Sequence, residues 1–214
     1  MNDVPPDRPV DPNAVPASKP DRGYHHGALR PALIAAARAL VIERGPDGFS
    51  LRETARRAQV SPSAPAHHFG GMKGLLTAVA AEGIVLLAEQ LEAVPDEDFS
   101  ARITAQANAY VQFAHEQRAL FDLMWRRGAI DTADPAHAAA VTRILTAFDR
   151  TIRGAEAPAA SGPQDPLLAP THAAWSMIHG FAALAAAGAY GNEPWSAERA
   201  RAALLSKVLS RLVL

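Results

Sequence analysis

The chain has 214 residues, no cysteine, 49% hydrophobic residues and a formal net charge of −1. A chain of that length buries roughly 70% of its unfolded surface without a staple, and the missing thiols exclude disulfides, thiolate nucleophiles and Cys-ligated zinc. No apolar run reaches the ~18–20 residues of a membrane span, and the opening Met1–Pro6 lacks the basic-then-apolar layout of a signal peptide. The expectation is a soluble, cytoplasmic protein with no membrane partner.

Charge is unevenly spread along the chain. Residues 22–73 hold eight Lys/Arg (Arg22, Arg30, Arg38, Arg44, Arg52, Arg56, Arg57, Lys73) against three acids (Glu43, Asp47, Glu53), a surplus of five positive charges. The remainder is net acidic. Phosphate neutralisation supplies the sequence-independent part of nucleic-acid affinity, so a DNA-binding unit would sit in this segment. A solvated, Arg-rich helix surface has the same composition.

Residues 1–21 carry six prolines and few large apolar side chains. Such a segment cannot offset its ordering entropy by burial and reads as a disordered tail. From Tyr24 the period turns helical. Leu29, Leu33, Ala36, Leu40 and Val41 form an apolar stripe, and Gly45-Pro46-Asp47-Gly48 stops the helix. Ser50 with Glu53 three residues on reads as a capping box opening a short helix over Leu51–Ala58. Ser61-Pro62 reads as a second start, with a helix from Pro62 to about His68 that Gly70-Gly71 ends. Further helices are expected over 72–92, 99–116, 118–128, 135–153, 170–189 and 196–212, with a loop at 158–163 and no strand pattern or repeat. The fold class is all-α, with about nine helices.

Two helices of about eight and seven residues joined by a short turn fit a helix-turn-helix, whose second helix enters the major groove. Leu51, Ala55, Val60 and Phe69 would pack inside it, while Ser61, Ser63, Ala64 and His67 face outward. A plain helical hairpin has the same spacing.

Tyr24-His25-His26-Gly27, Phe49-Ser50-Leu51-Arg52-Glu53-Thr54-Ala55, Val60-Ser61-Pro62-Ser63-Ala64 and His68-Phe69 together resemble the DNA-binding domain of the TetR family. Phe113-Ala114-His115-Glu116, Leu120–Trp125 and Trp175-Ser176-Met177-Ile178-His179-Gly180 resemble the family subset with a Trp…His-Gly C-terminal domain. The resemblance implies a DNA-binding domain over 22–70 and a larger helical ligand-binding and dimerisation domain over 71–214. It also implies a homodimeric regulator, a repressor released from a double-stranded operator by a small molecule, with no cofactor, metal or catalytic residue. Carried over by position, it puts Ser50, Arg52, Ser61, Pro62, Ser63, Ala64, His67, His68 and Lys73 at or near DNA. Helix N-termini and hydroxyls suit phosphate, and arginine can take guanine bidentately.

The chain departs from the family pattern in four places. Ala66 stands where an aromatic, usually Tyr, is common, and Met72 stands where a lysine is usual, with Lys73 next to it. Pro65 falls early in the recognition helix, and Gln59 replaces the turn glycine and would have to accept positive φ.

For the ligand pocket, Phe113, Phe121, Met124, Trp125, Trp175, Met177 and Phe181 are wall candidates, with His115, Arg126 and His179 as polar contacts. The aromatics point to an apolar effector, though aromatic and Met residues at helical spacing also serve as ordinary core. Trp175 and His179, four apart, share a helix face and suit a packing pair. The small residues Gly180, Ala182, Ala183, Ala185–Ala187 and Gly188 suit a dimer interface or a close approach within one subunit. Two other classes compete. A small all-α enzyme lacks a Glu-x-x-His spacing, a nucleophile elbow or a phosphate loop. A helical protein-interaction module would have no need of positive charge gathered around two short capped helices.

Overall fold

The computed structural model describes residues 26–95, 98–190 and 198–211. The expected tail at 1–21 and the Tyr24-His25 pair lie outside them. Nine α-helices and no strand occur among the described residues: α1 (His26–Arg44), α2 (Leu51–Arg57), α3 (Ala64–Phe69), α4 (Met72–Glu92), α5 (Phe99–Glu116), α6 (Arg118–Trp125), α7 (Pro135–Ile152), α8 (Ala169–Ala186) and α9 (Glu198–Leu209). Short 3₁₀ turns occupy Pro46–Gly48 and Pro166–Leu168.

Side-chain caps explain several of these starts. Asp98 accepts from the amides of Ser100 and Ala101 at 3.0 and 3.2 Å to open α5. Asp134 accepts from Ala136 and His137 at 2.9 and 3.1 Å to open α7, whose first residue is Pro135.

The recognition helix begins later than the sequence suggested. Ser61-Pro62 forms a single turn, closed by the Ala64 amide donating to Ser61 O at 3.0 Å, and α3 proper starts at Ala64 after Ser63. Pro65 then sits within the first turn, where its missing N–H removes no intrahelical bond. The later start turns Ala64 inward: it is buried rather than facing the groove.

α4 organises the molecule. One end packs on α1 and α3, the remainder on α5, α6 and α7. By length and averaged composition it is apolar enough to cross a bilayer, although no such run was expected. Its apolar side chains, from Leu75 to Leu91, are spent on the core. Buried Gln106 of α5 donates to Leu91 O and Ala147 O, both at 3.2 Å, joining α4, α5 and α7. Gly83 lets α6 approach closely, since a Cβ there would lie 2.9 Å from Leu120 Cγ. The helix that carries the N-terminal unit is thereby packed directly into the C-terminal bundle.

Candidate nucleic-acid interface and adjoining groove

Ser50 sets the start of α2. Its backbone is extended and its hydroxyl accepts from the Glu53 amide at 3.4 Å. The reciprocal half of the expected capping box does not form. The Glu53 carboxylate instead accepts from Arg56 Nε and Nη2, both at 2.8 Å, and from Arg57 Nε at 3.0 Å. These bonds, Arg56 first, hold the Glu53 carboxyl down to about 2. Arg57 reaches on to Glu43 at 2.6 Å, which fixes α2 against the end of α1, and Arg44 joins the same carboxylate at 3.1 Å.

Much of the N-terminal positive charge is therefore compensated internally. Arg44, Arg56 and Arg57 are paired with Glu43 and Glu53, and the Arg30 guanidinium lies 4.7 Å over the Phe69 ring. The side chains of Arg52 and Lys73, both exposed, make no ion pair or hydrogen bond among the described residues. They stand in the first turns of α2 and α4. Between them, exposed Ser61, Pro62 and Ser63 lead into α3, the two serine hydroxyls 3.3 Å apart, and His67 and His68 occupy its last turn. Gln59 takes φ 56 in the turn, as its position requires, and left-handed Gly70 closes α3 by donating to Ala66 O at 2.9 Å. Phosphate-seeking groups thus project near the starts of three successive helices.

A groove of about 910 Å³ opens where the end of α1 meets α6 and α8. Ile42, Gly45 and Pro46 form one wall, and Phe121, Trp125 and His179 are the aromatic part of the other. At the mouth, Arg126 Nη1 donates to Asp47 Oδ2 at 3.0 Å and pairs with Asp122 at 3.7 Å. The first contact ties α6 to the 3₁₀ turn that precedes α2. Behind the aromatic wall, fully buried Tyr110 places its hydroxyl 2.8 Å from His179 Nδ1 and accepts from Trp175 Nε1 at 3.3 Å. Burial holds the His179 imidazole below its usual pKa.

The family model described as "Bacterial regulatory proteins, tetR family" matches residues 33–79, and "Tetracyclin repressor-like, C-terminal domain" matches 103–208. The chain belongs to the TetR family. It is a DNA-binding transcriptional regulator. A solved protein of unknown function from Rhodococcus sp. RHA1 is 32% identical, with a TM-score of 0.70 over 91% of this chain and 100% of that one. A tetR-family bacterial regulatory protein from Rhodococcus RHA1 is 21% identical (TM-score 0.60; 86% and 96% covered). The TetR family regulator PfmR from Thermus thermophilus is 18% identical (TM-score 0.54; 85% and 99% covered). The last two likenesses concern the fold alone. No curated protein matches the chain.

In this TetR protein only some of the expected pocket residues meet at the groove, and Trp175 is not among them. Phe121, Trp125, Arg126 and His179 meet at the groove. Phe113, Met124 and Phe181 are buried in the core instead. His115 is exposed, and Met177 is half-buried off the groove. Helical phase accounts for the split: two residues turn a side chain through roughly 200°, so His115 points away from Phe113, and Met177 and Phe181 away from His179. Trp175 and His179 do pack, with ring centroids 6.3 Å apart, but both bond to Tyr110 rather than to each other. Three features went unread in the sequence. Glu53 and Arg57 at i,i+4 signalled an ion pair, but neither the Arg57–Glu43 bond nor the role of Tyr110 had any local sign.

Proposed function

We propose that this regulator is a homodimeric repressor that leaves its operator when an apolar small molecule fills the groove between α1, α6 and α8. The observation that carries this reading is the make-up of that groove: one wall belongs to the N-terminal helices, the other to the C-terminal bundle. A ligand that prefers one arrangement of these walls shifts DNA affinity by its differential affinity for the two states. The Arg126–Asp47 contact across the mouth links α6 to the turn before α2, so its geometry would report that shift.

The reading divides the chain at the positive-φ pair Gly70-Gly71, with a DNA-binding unit before it and a ligand-binding and dimerisation unit after it, working in the cytoplasm. Ser50, Arg52, Ser61, Pro62, Ser63, His67, His68 and Lys73 form its DNA face, and buried Ala64 drops out. Two recognition helices must stand about one DNA turn, ~34 Å, apart, which requires a dimer. α8 and α9 are the proposed interface. Leu184 is 49% exposed there, and a Cβ added at Gly180 would meet nothing within 4 Å, so this part of α8 has room for a partner, whereas Ala182 is buried within the subunit and Ala183, Ala186 and Ala187 line the groove.

Light scattering with and without operator DNA tests this directly. A dimer mass in both is expected, with Gly180→Trp reducing it. A monomer mass at micromolar concentration overturns the dimer. Transcription from the cognate promoter that rises in a deletion strain supports repression, and transcription that falls assigns activation instead.

A further inference from the structure

Hydrogen-bond accounting around Tyr110 fixes which nitrogen of His179 carries the proton. The Tyr110 hydroxyl accepts from Trp175 Nε1 at 3.3 Å and lies 2.8 Å from His179 Nδ1. An indole N–H can only donate, and a phenol has a single proton to give. Among the described residues that proton has one acceptor within reach, His179 Nδ1. The alternative, in which Nδ1–H donates to the phenol, would leave a fully buried O–H unpaired. Because burial keeps the ring neutral, Nδ1 is bare and Nε2 is protonated.

Nε2 bonds to no described residue, yet it is not sealed from solvent. It sits on a ring that lines the groove, flanked by Trp125 and Phe121 with centroids 5.1 and 5.5 Å away. Trp125 Nε1 is a second donor in this wall, buried and without a partner. The aromatic wall therefore turns one donor to the groove, His179 Nε2–H, and no acceptor. Around it the formal charges of Glu116 and Asp122 offset those of Arg118 and Arg126; Arg126 is engaged by Asp47 and Asp122, while Arg118 has no ion pair among the described residues. The lining as a whole carries no net charge to draw in an ionised ligand.

We infer that the groove takes an uncharged, flat apolar molecule bearing a carbonyl-type acceptor, which the His179 Nε2–H orients. The inference rests on the groove being the effector site and adds the class of effector. Tyr110 acts through His179 as a positioning residue.

Two experiments on the full-length protein test it. In ¹⁵N NMR, His179 is expected to show a protonated Nε2 and a hydrogen-bonded, bare Nδ1. Tyr110→Phe moves the Nδ1 resonance downfield to that of an unbonded imidazole nitrogen. A protonated Nδ1 in the wild type, or no shift in the variant, overturns the assignment. In calorimetry, 2-acetylnaphthalene, 2-ethylnaphthalene and 2-naphthoate are compared on wild type and His179→Phe. The ketone-over-alkyl preference is expected to fall roughly fivefold in the variant, with 2-naphthoate the weakest ligand. An equal preference in both proteins overturns the donor role while leaving the groove intact. Tightest binding of 2-naphthoate overturns the uncharged class. Binding of none of the three overturns the groove as an effector site, and the NMR result still decides the proton's position.

Discussion

Gly74→Ala places a methyl group between the recognition helix and the helix that carries it. Gly74 lies in the first turn of α4, and a Cβ there would stand 1.9 Å from the backbone oxygen of Phe69, the last residue of α3. Carbon and oxygen normally approach no closer than about 3.3 Å, so the end of α3 must move by more than 1 Å. The obstacle is a backbone carbonyl, which has no rotamer with which to step aside. Alanine gains about 1 kcal/mol over glycine in helix propensity. Overpacking a tight contact costs 1–3 kcal/mol and sometimes more; with backbone as the obstacle the upper end applies. The net is a loss of about 2 kcal/mol, or a fall in Tm of roughly 4–8 °C for a chain of this size. Function suffers more than stability, because hydrogen bonds to DNA tolerate a few tenths of an ångström. Calorimetry paired with operator anisotropy is the assay. The expected outcome is a protein that still folds, melts earlier and binds operator at least tenfold more weakly. An unchanged or raised Tm with wild-type DNA affinity would refute the reasoning.

Ser50→Ala removes the hydroxyl that caps α2 and should cost about 1 kcal/mol, or 2–4 °C in Tm; a shift under 1 °C would show the cap to be idle. Arg57→Ala unties α2 from Glu43 and lowers Tm, and the penalty depends on pH. Arg57 is the first cause holding the Glu43 carboxyl below its ordinary 4.5 and the second for Glu53, so the difference from wild type is full above about 4.5 and shrinks as pH falls through the lowered carboxyl range. A difference independent of pH over that window would exclude the ion pairs as its source. For His179 the depressed folded pKa means the unfolded chain binds more protons below the ordinary 6.5. Wild type is therefore expected to lose stability relative to His179→Phe as pH drops below 6.5, and parallel Tm–pH curves would contradict this.

Much of the fold was legible because its boundaries are local. Phe99–Glu116 falls where the 99–116 period put it, and Ser50, Gly45-Pro46 and Gly70 punctuate as their chemistry demands. The recognition helix was less clear because Ser61-Pro62 and Ser63…Pro65 offer overlapping start signals two or three residues apart. Choosing the earlier start rotates the helix phase, which is why Ala64 was expected outside. The groove was half legible. Periodicity shows that Phe113, Phe121, Met124, Trp125 and Phe181 lie on apolar faces, but not which face borders a cavity rather than another helix. Charge counting overstated the free positive charge, since the Arg57–Glu43 bond joins residues fourteen apart. Tyr110 carries no local sign of its role because its partner His179 lies 69 positions away.

The most direct test of DNA binding through α2–α3 is fluorescence anisotropy on duplex DNA from upstream of the protein's own coding region, beside a scrambled duplex, across a salt series. Tighter binding to the upstream duplex is expected, weakening steeply with salt, and Arg52→Ala should lower affinity and flatten the salt slope by about one unit. Failure of both duplexes to bind at low salt, or an Arg52→Ala protein that binds like wild type, would contradict the proposed reading head.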